Sequence, residues 1–145
     1  MSEERKIWLS LLAKAPADAL ATLWSKMDLS LQYETLRTPE IGGVMARGRM
    51  GATGSPFNLG ELTVTRCSVR LATGEVGHAY VQGRNKDKAL QVAIIDAAMQ
   101  TSDAAAIRRQ VLDPLAADMA KAKATRAQKA AATKVDFFTM VRGED

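Results

Sequence analysis

The fold is decided by a segment in the middle of the chain. Residues 60–82 read GELTVTRCSVRLATGEVGHAYVQ, two runs of alternating apolar and polar residues on either side of Thr73-Gly74. Such alternation is typical of strands with one buried face, and a turn pair between two such runs indicates a β-hairpin. With a two-residue turn, the pairs expected on the buried face are Leu71–Val76, Val69–His78 and Cys67–Tyr80.

Two further strands are expected upstream of this hairpin, near residues 31–38 and 43–50, so that the whole segment predicts a four-stranded antiparallel sheet. Within 60–71 the apolar positions change from even numbers (Leu62, Val64) to odd ones. A strand with one buried face cannot change parity without an extra residue, which predicts a bulge near Thr65–Arg66.

Helices are expected on both sides of the sheet segment. Ser2 is a suitable N-cap for an amphipathic helix over residues 3–14. Pro16 suits the first turn of a second helix, and the two predict an N-terminal helical hairpin. Asn85 is a suitable N-cap for a helix that is apolar nearly all round, which is typical of a core helix.

Two more helices are expected after the core helix: a short one over 103–112 and a long one from Asp113-Pro114 to about Lys134. The predicted fold class is therefore α+β, a four-stranded antiparallel sheet with an N-terminal helical hairpin and C-terminal helices. Residues 1–134 form a single domain in this interpretation, and residues 135–145 form a separate C-terminal docking tail.

Composition excludes several classes of protein. The chain has 145 residues, a formal charge of +4 and a pI near 9.4, which suits one soluble domain. With one cysteine, Cys67, and one histidine, His78, neither an internal disulfide nor a Cys/His zinc site is expected. The sequence has no apolar run of about 20 residues and no signal peptide, so we expect a cytoplasmic protein without a membrane span or a metal.

Five arginines lie in the expected sheet region. Arg47 and Arg49 project from one side of their strand, as do Arg66 and Arg70 from theirs, and Arg84 follows the last strand. Guanidinium groups match the geometry of phosphate and carboxylate. The cluster therefore predicts either an acidic partner surface or a phosphate site, and a solvated face with local ion pairs is the third interpretation.

Other candidate motifs favour structural roles. The glycine-rich segment 48–60 lacks the Gly-Lys-Ser/Thr ending and the following helix of a P-loop, so a long hairpin connection is expected. Cys67 and His78 lie diagonally in the expected register, but both are on the apolar face, where a buried cysteine is inert. Asp96 lies among apolar residues of the core helix and predicts a buried ion pair, with an arginine as a candidate partner. No catalytic residue is predicted.

The end of the chain predicts an interaction segment. Residues 119–135 carry five basic residues and no acidic one. The following tail is expected to dock through its large apolar residues and one arginine: Phe137, Phe138, Met140, Val141 and Arg142. Ordering about nine residues costs more than their burial contributes, so the tail needs main-chain pairing or a partner surface. Docking on a partner or a second protomer, and docking on its own core, both remain open at this stage.

Several stretches resemble one known family. They are Thr65–Leu71, Gly74, Gly77, Gly83–Lys86, Ile95–Gln100 and the ending Val135–Gly143. Together they resemble the PhnG family, a subunit of the bacterial carbon–phosphorus lyase core complex. The similarity covers most of the chain and is strongest from Arg47 to Gln100 and in the last eleven residues.

The resemblance implies an accessory role in an enzyme complex. With PhnH, PhnI and PhnL, the family displaces adenine from ATP by a phosphonate and gives an α-D-ribose 1-alkylphosphonate 5-triphosphate. PhnJ carries the radical chemistry that later cleaves the carbon–phosphorus bond. Because the nucleosidase activity is associated with PhnI, this chain is expected to bind no cofactor, while ATP is a substrate of the complex.

Two alternatives to this role remain open. One is a basic module that binds anions or nucleic acid without catalysis, although the chain has no recognised nucleic-acid-binding motif. The other concerns the isolated chain, which is expected to be able to self-associate through its C-terminal segment.

Overall fold

The computed structural model describes the backbone of residues 2–49 and 56–143, and the side chains of residues 2–45 and 60–134. Its elements are α1 (Glu3–Lys14), α2 (Ala17–Lys26), β1 (Tyr33–Arg49), β2 (Pro56–Leu71), β3 (Val76–Gln82), α3 (Lys86–Ala98), α4 (Ala104–Ile107), a π-helical turn (Arg108–Leu112) and α5 (Asp113–Gly143). The strands form one antiparallel sheet in the order β1-β2-β3, and α3 packs on one face of it. The α+β class expected from the sequence is confirmed.

The described sheet has three strands, so the prediction of four is wrong. The two strands expected near 31–38 and 43–50 are one continuous strand, β1, which pairs with β2 through Gly42–Val64 and Gly43–Thr63. At Gly43 the Glu61 side chain of β2 lies where a Cβ would be. The absent side chain makes room for this cross-strand contact.

The β2–β3 hairpin has a three-residue loop in place of the expected two-residue turn. The amide of Leu71 donates to the carbonyl of Glu75 at 2.9 Å, and the amide of Gly74 donates to the carbonyl of Leu71 at 2.8 Å. Gly74 has a φ of 104°, as the last residue of such a loop requires. The extra loop residue shifts the register of the whole hairpin by one.

This shift moves two side chains to the other face of the sheet. Cys67 lies opposite Ala79 and Ser68 lies opposite His78. The predicted pairs Leu71–Val76, Val69–His78 and Cys67–Tyr80 are therefore wrong. The core face of β3 is formed by Gly77, Ala79 and Val81, and its exposed face carries His78 and Tyr80.

The predicted bulge near Thr65–Arg66 is also wrong, because the two irregularities nearest to it are in the neighbouring strand β1, and the extra residue of β2 lies further away, between Asn58 and Gly60. β2 pairs with β3 without interruption over Val64–Arg70. On the other side, β1 takes two residues from Thr35 to Arg37 while β2 takes one, and three from Arg37 to Glu40 while β2 takes two. Pro39 lies in the second irregularity, which is a position where strands tolerate proline.

The change of parity in β2 has a different cause: Val64 and Thr65 are both buried, on opposite faces. Thr65 takes the core-facing place that alternation assigns to an apolar residue. It is fully buried, and its hydroxyl donates to the carbonyl of Gly83 at 2.7 Å. This hydrogen bond is what allows a polar side chain in the core.

The core lies between the sheet and α3, and its closest approach is at Gly77. A Cβ at Gly77 would come within 1.9 Å of the carbonyl oxygen of Ala93 and 2.5 Å of the amide nitrogen of Ala97. The small residues on both sides therefore let α3 lie directly on the backbone of β3. The helices α1 and α2 both contact α3, and α1 places Trp8 and Leu12 in the core.

Asp96 connects α1, β3 and α3 through its carboxylate. The side chain is fully buried. It accepts hydrogen bonds from Arg5 (3.1 and 2.8 Å), the indole of Trp8 (2.8 Å) and the main-chain amide of His78 (2.9 Å). The hydrogen bond to Asp96 raises the pKa of Arg5. The predicted buried ion pair is confirmed, and its arginine comes from α1.

Lys88 caps the C-terminal end of α1. Its side chain is buried, and its ammonium group donates to the carbonyls of Ala13 (2.9 Å) and Ala15 (2.6 Å). These carbonyls are at the C-terminal end of α1, where cations are favourable. The lysine is therefore satisfied by hydrogen bonds, although burial lowers its pKa.

We expect the stability of the protein, relative to a Lys88→Met variant, to rise with pH. Burial lowers the pKa of folded Lys88 below the usual 10.5. Between that lowered value and 10.5, the unfolded chain holds a proton that the folded chain has released, so raising the pH favours the folded state. Urea unfolding of both proteins at several pH values from neutral to 10.5 measures this difference. A difference that stays constant or falls over this range contradicts the prediction.

The C-terminal helices are joined in a way that the proline explains. The expected boundary at Asp113-Pro114 is present, but a π-helical turn over Arg108–Leu112 connects the two helices without a break. Pro114 has no N–H to donate to Gln110, and a wider turn before it accommodates this loss. α5 then continues past the predicted end at Lys134 to Gly143. No helix among the described residues is both long and apolar enough to cross a bilayer.

Candidate partner-binding surfaces

The face of the sheet opposite α3, called here the open face, carries polar and charged side chains. Its centre is formed by Arg66, Ser68 and Arg70 of β2, and directly opposite residues of an antiparallel pair share a face. The neighbours of these residues are Glu40, Arg37 and Glu34 on β1, and Tyr80, His78 and Val76 on β3.

Ser68 lies at the centre of the basic residues of the open face. Arg37 and His78 lie directly across from it, about 5 Å away on the neighbouring strands, and Arg66 and Arg70 lie about 7 Å along its own strand. The Ser68 hydroxyl is hydrogen-bonded to Nδ1 of His78 at 2.9 Å. With Glu34 and Glu40 on the same face, the three arginines leave a net charge of +1 with His78 neutral, and the guanidinium groups suit carboxylate or phosphate.

The arginines of the open face differ in whether their guanidinium groups have ion-pair or hydrogen-bond partners. Arg70 forms an ion pair with Glu34 at 3.4 Å, and both are exposed, so the pair contributes little to stability. Arg66 is half-buried, and its buried Nε has no hydrogen-bond partner among the described residues. Tyr80, directly across from Arg66, is 53% exposed. Arginine and tyrosine are the residue types that most often dominate protein interfaces.

The hydrogen-bonded Ser68 and His78 are not part of a catalytic triad. In a triad a carboxylate orients the imidazole, and no carboxylate among the described residues bonds to the other ring nitrogen of His78. The hypothetical Cys67–His78 pair is excluded, because Cys67 is buried on the core face and His78 is on the open face. Burial raises the pKa of the Cys67 thiol. Within the described parts of the chain, no cluster of His, Cys, Asp and Glu could hold a metal ion.

The five arginines singled out in the sequence do not form one cluster. Arg66 and Arg70 share the open face as expected. Arg84 is exposed in the turn between β3 and α3. Arg47 and Arg49 lie near the far end of β1, about 24 Å and about 31 Å along the strand from the position opposite Arg66. Their side chains lie outside the described residues.

Two elements project from the domain, and the first is a β-ribbon. The ribbon consists of residues 41–49 of β1 and 56–63 of β2, which β3 does not reach. Three of its large apolar side chains are exposed: Ile41, Met45 and Leu62. Two-stranded ribbons are marginally stable in water by themselves, so this one is suited to contact with another surface.

The second projecting element is the C-terminal arm, residues 120–143 of α5. Leu115 is fully buried and Met119 is half-buried, but every residue from Ala120 to Lys134 is exposed. The helix continues to Gly143 and so carries the backbone of Phe137 about 33 Å from Leu115. The side chains predicted to dock (Phe137, Phe138, Met140, Val141 and Arg142) lie outside the described ones.

A groove of about 370 Å³ marks the point where the arm leaves the domain. Its apolar lining includes Ala19, Leu115 and Met119, and its charged lining is Lys14, Asp118, Lys123 and Arg126. The groove thus combines apolar side chains with three basic ones and one acidic one, which suits an amphipathic segment with a net negative charge.

The total exposed surface is large for the size of the chain. The accessible surface is 9743 Å², whereas a compact monomer of this mass exposes about 7,200 Å². The excess of about 2,500 Å² is comparable with the area that obligate interfaces bury. Residues 120–134 of the arm are all exposed, as are Ile41, Met45 and Leu62 of the ribbon, and they contribute to this excess.

Sequence reasoning missed several residues of the open face, chiefly Arg37, His78 and Tyr80. For His78 and Tyr80, the sequence feature that could have placed them on the open face is Gly74. A glycine in the third loop position predicts a three-residue loop, and that register places His78 and Tyr80 beside Arg66 and Ser68. Arg37 had no such signal, because its position depends on the irregularities of β1.

These features define a small α+β protein with a polar open sheet face and two projecting elements, the ribbon and the arm. The chain matches the family described as "Phosphonate metabolism protein PhnG" over residues 3–143, and it belongs to this family. A relative from Rhizobium meliloti (strain 1021), "Alpha-D-ribose 1-methylphosphonate 5-triphosphate synthase subunit PhnG", is 44% identical over 142 residues, which are 98% of this chain and 91% of the relative. The family resemblance found in the sequence is confirmed.

Proposed function

We propose that this chain is an accessory, non-catalytic subunit of an α-D-ribose 1-methylphosphonate 5-triphosphate synthase in phosphonate catabolism. The observation that carries the proposal is the 44% identity, over 98% of the chain, to a relative that is named as such a subunit. In this role the chain acts in the cytoplasm with PhnH, PhnI and PhnL, in a core complex that also contains PhnJ. The complex displaces adenine from ATP by a phosphonate, and this chain binds no cofactor of its own.

The shape of the chain supports a role in assembly. The arm holds the backbone of the segment 135–143 about 30–42 Å from the buried Leu115, too far for it to cover its own core while the helix is intact. The arm has five basic residues and no acidic one between 119 and 135. We assign the arm to an acidic surface of a partner subunit, chiefly PhnI, and the open face with Arg66, Arg70 and Tyr80 to a second contact.

Deleting residues 135–145 should abolish co-purification with the partner subunits. The deletion removes two phenylalanines, and a buried aromatic anchor contributes about 2 kcal/mol or more to an interface. Far-UV circular dichroism of the isolated chain should fall only by the share of the deleted helical residues. The measurement is affinity purification from cells that co-express the other synthase subunits.

Two full-length variants sharpen this experiment. Phe137→Ala with Phe138→Ala should also lose the complex, whereas Thr139→Ala in the same segment should retain it. Assembly that survives both the deletion and the double variant would show that the tail is not the docking segment.

The arginines around Ser68 on the open face also favour a second role, in which arginines of this chain bind the triphosphate of the nucleotide. Changing Arg66, Arg70 and Arg84 to alanine separates the two roles. A complex that assembles normally but has a higher KM for ATP supports nucleotide binding. A complex that no longer assembles supports the contact role.

A further inference from the structure

The free edge of the sheet is the feature that carries a further inference. β1 is an outer strand of the sheet, and its only strand neighbour in the described parts of the chain is β2. Its 17 residues are more than twice the length of the 7-residue β3. The unpaired side of an outer strand presents N–H and C=O groups that can template another strand.

The hydrogen bonds fix which groups of the ribbon point outward. The amide of Gly83 donates to the carbonyl of Thr63, so the main chain of Thr63 points away from β1. Main-chain groups alternate along a strand, so those of Leu62 and Val64 point towards β1, where their partners are Val44 and Gly42. The N–H groups on the free edge of the ribbon are therefore those of Ile41, Gly43 and Met45.

From Ile41 to Ala46 the edge has little of the usual protection against strand addition. Proteins shield free edges with bulges, prolines and lysines. Two of the three irregularities of the β1–β2 pair lie before Ile41, as does Pro39, and the register is regular from Glu40 to Ala46. The third lies between Ala46 and Arg47, where the extra residue is in β2 and not in β1. Residues 41–49 contain neither proline nor lysine.

The charges and the apolar side chains of the edge indicate what kind of strand would bind there. Residues 41–49 contain two arginines and no acidic residue. A second copy of this edge would bring two more arginines to the same short ladder, whereas a strand with carboxylates would neutralise Arg47 and Arg49. Ile41 is 40% exposed and Met45 is 58% exposed. An apolar side chain on the added strand would cover them.

We propose that an extended segment of a partner subunit, carrying carboxylates and apolar residues, adds as a further β-strand to the free edge of β1 along Ile41–Arg49. Main-chain hydrogen bonds supply the binding and the side chains supply the selectivity, as in other cases of strand addition. This inference rests on the proposed function, because it takes the partner from the same synthase.

Met45→Pro is the sharpest test, because it removes one outward N–H and leaves the β1–β2 ladder intact. In co-expression with the other synthase subunits, this variant should recover at least ten-fold less complex than the wild type. Met45→Ala is the matched control: it shortens the same side chain, keeps the N–H and should lose much less. If Met45→Pro does not fold, Arg47→Glu with Arg49→Glu replaces it and should give the same loss.

Amide hydrogen exchange measures the proposed strand pairing at the free edge of β1 in the wild-type complex. The amides of Ile41, Gly43 and Met45 should exchange at least ten-fold more slowly in the complex than in the isolated chain. Unchanged exchange in an assembled complex, or full assembly of both the proline and the charge-reversal variants, would overturn strand addition alone. A homodimer that Met45→Pro dissociates would overturn the choice of occupant. A wild-type chain that joins no synthase subunit would instead refute the proposed function.

Discussion

Replacing Asp96 with alanine should lower the free energy of unfolding by about 3–5 kcal/mol, because it leaves a partly buried arginine without its counter-ion. Asp96 accepts two hydrogen bonds from Arg5, one from Trp8 and one from the amide of His78. The variant loses all four at once, and the donors of Trp8 and His78 cannot reach water without opening the core. Urea unfolding followed by circular dichroism measures the loss.

Two comparisons test the cause of this loss. Arg5→Ala should cost less than Asp96→Ala, since Trp8 and His78 still hold the carboxylate. Asp118→Ala removes an exposed carboxylate from α5 and should change the stability by less than about 0.5 kcal/mol. If Asp96→Ala costs less than about 1 kcal/mol, the carboxylate does not hold α1, β3 and α3 together.

Replacing Gly77 with valine should destabilise the fold by about 3 kcal/mol or more and leave part of the protein insoluble. The first atom of any side chain would lie 1.9 Å from the carbonyl oxygen of Ala93, which is backbone and cannot rotate away. α3 must then move off β3, which opens the core and stretches the hydrogen bond from His78 to Asp96. Thermal unfolding and the soluble yield report both effects.

Gly42→Ala is the matched control for this substitution. Gly42 is also a strand glycine, but the nearest atom to its would-be Cβ is Nη2 of Arg66, at 3.1 Å. That atom is the end of a flexible side chain and can shift, so the cost should be below about 1 kcal/mol. Equal losses in the two variants would mean that the general cost of replacing a strand glycine, and not the contact with α3, explains the effect.

The helices could be predicted well because their signals, such as N-caps, depend only on residues that are close together in the sequence. Ser2 accepts the amide of Arg5 at 3.2 Å and Asn85 accepts the amide of Lys88 at 2.9 Å, so both expected N-caps are present. The register of the hairpin was wrong by one because two loop lengths fit the same residues, and the backbone conformation of Gly74 decides between them. The expected break between residues 38 and 43 is absent because β2 is long enough to pair with β1 on both sides of it, which no local pattern specifies.

The candidate surfaces could be predicted only in part. The shared face of Arg66 and Arg70 follows from their spacing of four, and the structure confirms it. That Arg47 lies far from them depends on the pairing of β1 with β2, which no local pattern specifies. The partner of Asp96 was also beyond local rules, because Arg5 is 91 residues away in the sequence.

The bond between Arg5 and Asp96 sets an order of events during synthesis. At about 5–20 residues per second, a ribosome adds Asp96 roughly 5–18 s after Arg5, across the 91 residues that separate them. Through that interval α1 has been made, but α3, which it packs against, is incomplete. The apolar side chains of α1, Trp8 among them, should therefore stay partly uncovered on the nascent chain until α3 has been made.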